Sequence, residues 1–292
     1  MGTTTIHLLV PVDYSDISVY GLKYAAKLVK ATNGKITAIN VIKGVDPIWS
    51  DMFSDVEREI LLNRLKDYMH KFVLSHIDIS DEALDCQIVG GTMCDTIMKL
   101  ATQLQADAIV MGTSQADNIK KRIIGSNALR IMAEAKCPVI TVKRTPTDAD
   151  IKRIILPIDI SKDGREKAVD AVRLADILHA EILVVSAYTI NDDLILRKLK
   201  QYQEQVVSYI TGHGIKCSGQ LLAVDNQVDG VLNFIDEQKG DIVVITTHEQ
   251  LKIVSSFLGS FAKSMVSKSK VPVMSIVPRN KYKVIFDLPG CS

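Results

Sequence analysis

No run of apolar residues in this 292-residue chain approaches the roughly 20 that a membrane-crossing helix needs, although 47% of its residues are hydrophobic. A membrane span is therefore not expected. Charge of one sign is lacking as well: 35 Lys and Arg stand against 34 Asp and Glu, a formal charge of +1, so no basic field points to nucleic acid or to an anionic lipid surface. The five cysteines, Cys86, Cys94, Cys137, Cys217 and Cys291, form no CxxC pair and no zinc spacing, and an odd number makes a poor disulfide framework. Idle thiols in a reducing compartment are the expectation. His7, His70, His76, His179, His213 and His248 include no HExxH and no spacing with Cys or carboxylate that would hold a metal, so no metal site is assigned. There is no Gly-x-Ser-x-Gly elbow, Walker lysine or GxGxxG, hence no visible nucleophile or hydride-transfer fingerprint, and no catalytic residue is assigned. The opening MGTTTIHLLVPVD puts no charged segment ahead of a long apolar run, which reads as a protein without an export leader. A soluble, cytoplasmic protein is expected.

What the chain does contain is the same pattern twice. Residues 106–142, ADAIVMGTSQADNIKKRIIGSNALRIMAEAKCPVITV, align without a gap on residues 240–276, GDIVVITTHEQLKIVSSFLGSFAKSMVSKSKVPVMSI. Asp107, Gly125, Ser126, Pro138 and Val139 reappear as Asp241, Gly259, Ser260, Pro272 and Val273, always 134 positions later. Such a constant offset marks a duplication. The segment IHLLVPVDYSD at 6–16 matches KRIILPIDISK at 152–162 with an offset of 146, pairing Pro11, Asp13 and Ser15 with Pro157, Asp159 and Ser161. The second copy has therefore lost 12 residues, and the stretch from Gly44 to Ser80, which holds the only Trp, is where they are expected to be missing.

Each copy alternates short β-branched runs with helical patterns. In the first, strands are expected near 6–12, 35–42, 84–89, 107–112 and 138–143, with amphipathic helices near 17–32, 52–76, 94–104 and 126–135. LLVPV, AIVMG and VITV are apolar on both faces, as strands inside a parallel sheet must be. Val19, Leu22, Ala26 and Val29 give the first helix one apolar side, with Lys30 turned toward water. The fold class is α/β: two tandem doubly wound domains, each with a five-stranded parallel sheet, over residues 1–145 and 151–280, with a tail at 281–292. A single (β/α)8 barrel would not give two homologous halves that each close on a Pro-Val strand. The linker RTPTDADI, residues 144–151, spans at most about 28 Å, so the halves must sit side by side.

Ligands of such sheets gather at the carboxyl ends of the strands, where strand order reverses. Asp13 follows the first strand, where a carboxylate can accept bonds from ribose hydroxyls. Met111 and Gly112 end the fourth strand, and Gly125-Ser126 opens the next helix, whose free N–H groups and partial positive charge suit a phosphate. The plainer alternative for Gly-Ser is an ordinary helix cap.

VPVDYSD, INVI at the second strand, and VMG followed after a 12-residue interval by GSNALRIMAEAKCPVITV are similar to the universal stress protein family of UspA type. The resemblance covers both copies, from Ile6 to about Pro278. It implies a Rossmann-like domain of the adenine nucleotide alpha hydrolase-like class and, for one branch, ATP held through G-x-x-G-x9-G-[S/T], with magnesium as counter-ion. Carried over by position, that branch's nucleotide contacts fall on Pro11, Asp13, Val41, Met111, Gly112, Gly125, Ser126 and Asn127. The second motif glycine is replaced by Gln115. In the second copy both leading glycines are lost, to Thr246 and Glu249. A carboxylate there would meet phosphate at a cost of about 4 kcal/mol per unit charge at 4 Å. The second site is therefore expected to have lost ATP.

Lys120, Lys121 and Arg122 read either as a cationic lip for a triphosphate or, more plainly, as a solvated loop. KSMVSKS at 263–269 resembles a synthetase lysine loop but falls within the last helix, and His248-Glu249 is adjacent in sequence only. The resemblance further implies that the last strand of each copy, PVITVK and PVMSIV, pairs with its counterpart across a two-fold axis, which duplication supplies within one chain. A pseudo-symmetric monomer follows, with a homodimer of four domains as the rival. The functional expectation is a non-catalytic stress-response factor that binds a nucleotide in its first domain or engages protein partners. The alternatives are an ATPase or nucleotidyl transferase using Asp13 or Asp159, and an interaction module with two vestigial pockets.

Overall fold

The computed structural model describes residues 5–42, 52–113, 124–146, 149–160, 162–189, 192–247 and 258–278. In the first half these form β1 (His7–Pro11), α1 (Asp16–Thr32), β2 (Lys35–Ile42), α2 (Asp55–His76), β3 (Leu84–Gly90), α3 (Met93–Gln103), β4 (Ala108–Gly112), α4 (Ser126–Glu134) and β5 (Val139–Val142). In the second they form β6 (Arg153–Pro157), α5 (Lys162–Leu178), β7 (Glu181–Tyr188), α6 (Asp193–Gly212), β8 (Cys217–Ala223), α7 (Gln227–Glu237), β9 (Ile242–Thr246), α8 (Ser260–Lys268) and β10 (Val273–Ile276). The described elements match the expected ones to within a few residues. Among the described residues no helix is long and apolar enough to cross a membrane.

Local chemistry fixes the helix ends. Ser15 caps α1, its hydroxyl accepting from the amide of Ser18 at 3.2 Å, and Asn33 closes the helix in the left-handed region at φ 49°. Ser54 and Glu57 build a reciprocal capping box on α2, and Asp192 and Asn226 cap α6 and α7 through their side-chain oxygens.

Among the described residues the ten strands belong to one sheet in the order β3-β2-β1-β4-β5-β10-β9-β6-β7-β8. Within each half every pairing is parallel, and strand order reverses between β1 and β4 in the first and between β6 and β9 in the second. The halves join where β10 runs antiparallel to β5, with Val273 opposite Thr141 and Ser275 opposite Val139. α1, α2, α5 and α6 cover one face over a core that includes Leu8, Leu22, Val110 and Ile154, while α3, α4, α7 and α8 cover the other over Leu9, Ile109, Ile131 and Val243. Both faces of the central strands are thus buried, which is why their sequences are apolar without alternation.

The offset of 146 holds unbroken from β1 to the end of β2, and that of 134 from α3 to β5. The loss of 13 residues falls between β2 and β3, an interval that contains the expected stretch. Twelve residues separate β2 from α2 where four separate β7 from α6, and seven separate α2 from β3 where four separate α6 from β8. α2 is also two residues longer than α6, and the shorter copy regains one residue between β8 and α7.

Candidate functional site

The carboxyl ends of β2, β1 and β4 lie side by side, because these strands are neighbours in the sheet. Pro11 ends β1 opposite Ile39 of β2, Val41 lies two residues further along β2, and Met111 and Gly112 end β4 opposite Thr141 and Val142 of β5. Asp13 follows β1, and Gly125, Ser126 and Asn127 open α4, which packs on the face that Val41 and Met111 share. The chain path thus brings the eight positions singled out in the sequence to one edge of the first half. Gln115, Lys120, Lys121, Arg122, His248, Glu249 and the tail 281–292 lie outside the described residues.

Asp13 sits in a tight turn. Its Oδ1 accepts from the Ser15 amide at 3.1 Å and the Ser15 hydroxyl at 2.5 Å, and between them Tyr14 takes a φ of 64°, unusual for a bulky residue. Partial burial pushes the Asp13 carboxyl up, but the hydroxyl and amide of Ser15 outweigh it and hold the group below the ordinary aspartate value of 3.8. The site therefore presents an exposed, ionised carboxylate whose position the start of α1 fixes.

The three glycines of this region have different physical reasons. A Cβ on Gly112 would lie 1.7 Å from the carbonyl oxygen of Ile17, and one on Gly21 would lie 2.9 Å from the Gly112 amide. These two let α1 rest directly on the end of β4, so packing within the chain accounts for the missing side chain of Gly112. Gly125 differs: its φ of −56° is open to any residue, and a Cβ there would meet nothing within 4 Å among the described residues. Packing among the described residues gives no reason for glycine at 125.

Among the described residues α4 has no side-chain cap, and the first-turn amides of Ser126, Asn127 and Ala128 are directed out of the helix end. Ser126 is exposed and is the first helical residue rather than the cap. Asn127 is held by α3: its amide nitrogen donates to the Met93 thioether at 3.1 Å, and the Cys94 thiol lies 3.5 Å from its side-chain oxygen. Arg130, one turn on, reaches Asp95 of α3 at 2.6 Å. Sequence reasoning missed Thr113. It follows Gly112, is 4% exposed, and its hydroxyl has no hydrogen-bond partner among the described residues. A buried hydroxyl left unpaired costs about 1–3 kcal/mol, which marks it as a group suited to an outside partner. An uncapped helix end, an open glycine, an ionised carboxylate and an unpaired hydroxyl on one strand edge fit a ligand carrying phosphate and hydroxyl groups.

The second half has a different edge. Thr246 replaces Gly112 and Phe261 replaces Asn127. The Gly259 amide donates to the Thr247 carbonyl at 2.7 Å, whereas no corresponding bond links Gly125 to Thr113. The Thr247 hydroxyl lies 3.4 Å from the Ile276 carbonyl, so it is not left unpaired like that of Thr113.

The family model described as the universal stress protein family matches residues 6–143 and again 150–276. A universal stress protein of Methanocaldococcus jannaschii is 26% identical over 140 residues, covering 47% of this chain and 81% of that protein. A Staphylococcus aureus relative with the same family name is 25% identical over 151 residues, covering 50% of this chain and 89% of its own length. Among solved structures, a universal stress protein from Archaeoglobus fulgidus superposes with a TM-score of 0.70 at 17% identity, over 94% of this chain and 99% of that one. With both copies matched by the family model, the chain belongs to the universal stress protein family as a tandem of two copies.

Proposed function

We propose that the chain is a stress-response factor that works by binding rather than by chemistry, and that it takes one adenine nucleotide, ATP or a close relative, in its first half. The reading rests above all on the amino terminus of α4, which among the described residues has no side-chain cap, opens with a glycine whose Cβ would meet nothing, and lies beside a Thr113 hydroxyl that has no partner. In this reading the α4 amides and the positive end of its dipole take the phosphates, with the Ser126 hydroxyl as a further donor and magnesium as counter-ion. Asp13 accepts from the ribose hydroxyls. Pro11, Val41 and Met111 supply the apolar floor for the base, while Gly112 and Asn127 position the two chain segments that meet there. The second half, with Thr246 and a closed Gly259–Thr247 bond, binds no nucleotide.

Titration calorimetry of nucleotide-stripped protein with ATP and magnesium tests this. One site per chain is expected, abolished by Gly125→Val and untouched by Gly259→Val. Equal losses from the two substitutions would sink the one-site reading. No heat at millimolar ATP would refute nucleotide binding altogether and leave a partner-binding stress module.

A further inference from the structure

Each side of the seam has a cavity at the amino edge of its strands. The second-half cavity is lined by Lys152, Arg153, Glu181, Lys239 and Asp241, and also by Ala149 and Asp150 of the linker. The first-half cavity, of about 430 Å³, lies at the amino ends of β1 and β4. Ile6, Gln105 and Asp107 line it, and the offsets of 146 and 134 make them the counterparts of Lys152, Lys239 and Asp241.

In the second half the covering chain is the linker. It leaves β5 at Val142 and runs along α1, where the Lys27 side chain donates to the Ala149 carbonyl. Two residues on, Ile151, 5% exposed, packs into the core just before β6. The first-half cavity stands at the corresponding exit of the other copy. β10 ends at Ile276, and its antiparallel register, with Ser275 opposite Val139, carries the chain out past Pro138 and Cys137, both of which line the cavity. Arg173, the counterpart in α5 of Lys27, lines it as well. Fourteen residues follow Pro278 in the sequence, whereas seven take the linker from Val142 to Ala149.

We propose that residues 279–285 cover this cavity as residues 145–151 cover its counterpart. The offset of 134 aligns Ile285 with the buried Ile151. Counted back from β1 instead, the position of Ile151 falls on Thr5, which is polar and exposed. The segment after β10 therefore supplies the apolar side chain that Leu28, Ile140 and Met274 of the cavity wall can bury. Charge changes in step. The linker stretch TPTDADI has two acids and no base, beside a lining otherwise of three bases and two acids. RNKYKVI, residues 279–285, has three bases and no acid, beside a lining in which Asp107 and Asp170 balance Lys136 and Arg173.

Arg173→Cys and Lys283→Cys, at the counterparts of Lys27 and Ala149, placed together in the full chain test the contact in a glutathione redox buffer. A disulfide within one chain is expected, located by peptide mass spectrometry, and adding Ile285→Asp should lower its yield by about tenfold. In the otherwise unaltered chain, Ile285→Asp should raise the alkylation rate of Cys137 by about threefold or more and leave that of Cys217 in β8 unchanged. Should the double variant not fold, this comparison decides alone. No disulfide in the folded double variant, a disulfide only between two chains, equal yields with and without Ile285→Asp, or an unchanged Cys137 rate would overturn the assignment.

Discussion

Two glycines of the candidate site, Gly112 and Gly125, differ so sharply in their surroundings that one methyl group distinguishes their roles. In Gly112→Ala the new Cβ would lie 1.7 Å from the Ile17 carbonyl oxygen, whereas ordinary contacts begin at 3.4 Å. α1 would have to retreat by the difference. It cannot do so freely, because Leu22, Ala25, Ala26 and Val29 of the same helix are buried against the sheet and Gly21 rests on Met111 and Gly112. Overpacking of this kind costs about 3 kcal/mol, which for a chain of this size lowers the melting temperature by ~6–12 °C. Gly125→Ala meets no atom of the described residues and keeps an ordinary φ, so it should change stability by less than about 0.5 kcal/mol while lowering nucleotide affinity. Urea unfolding and thermal melts of both nucleotide-free variants, beside ATP titration of Gly125→Ala, decide the matter. Comparable destabilisation by the two substitutions would refute the distinction.

Thr113→Val removes, at nearly constant volume, a buried hydroxyl that has no partner among the described residues. It should stabilise the nucleotide-free protein by about 1 kcal/mol and weaken nucleotide binding, and a loss of stability in urea would show that the hydroxyl already has a partner. Because the Asp13 carboxyl titrates below its ordinary value in the folded state, its contribution to stability is complete above about pH 5 and is lost as pH falls through the folded value. Asp13→Asn should therefore cost stability at pH 7 and much less at pH 3, and equal unfolding differences at the two pH values would contradict this. Burial pushes the thiols of Cys86 and Cys137 up to about 11 and that of Cys217 to about 12, so alkylation at pH 7.5 should be slow at all three and accelerate with pH. Mass spectrometry after timed iodoacetamide treatment would expose any fast site.

Much of the fold is legible in the chain because buried parallel strands leave unbroken apolar runs, and because a duplication lets each copy check the other. LLVPV and AIVMG can be read as strands without knowing their neighbours. The placement of Pro11, Asp13, Val41 and Met111 on one edge follows from strand order, which the β-α alternation dictates. Thr113 was not legible, since a hydroxyl after a strand is ordinary in sequence and only its burial without a partner sets it apart. Nor was the role of Gly112, which depends on a carbonyl oxygen of Ile17 that is distant in sequence. The difference between Tyr24 and Asp170 is visible in the alignment of the copies, whereas the way the copies meet is a property of the antiparallel β5–β10 join rather than of either copy.

The same join has a consequence for how such a protein can change. In an assembly of two identical chains, every substitution at the symmetric interface is made twice, so a bulky residue on one side of the axis forces the same residue on the other. Here the two sides are encoded separately within one chain. One copy carries Tyr24 where the other carries Asp170, and Gly112 stands in the first where Thr246 stands in the second. Fusion of the two copies thus turns one repeated surface into two that can be inherited and altered independently.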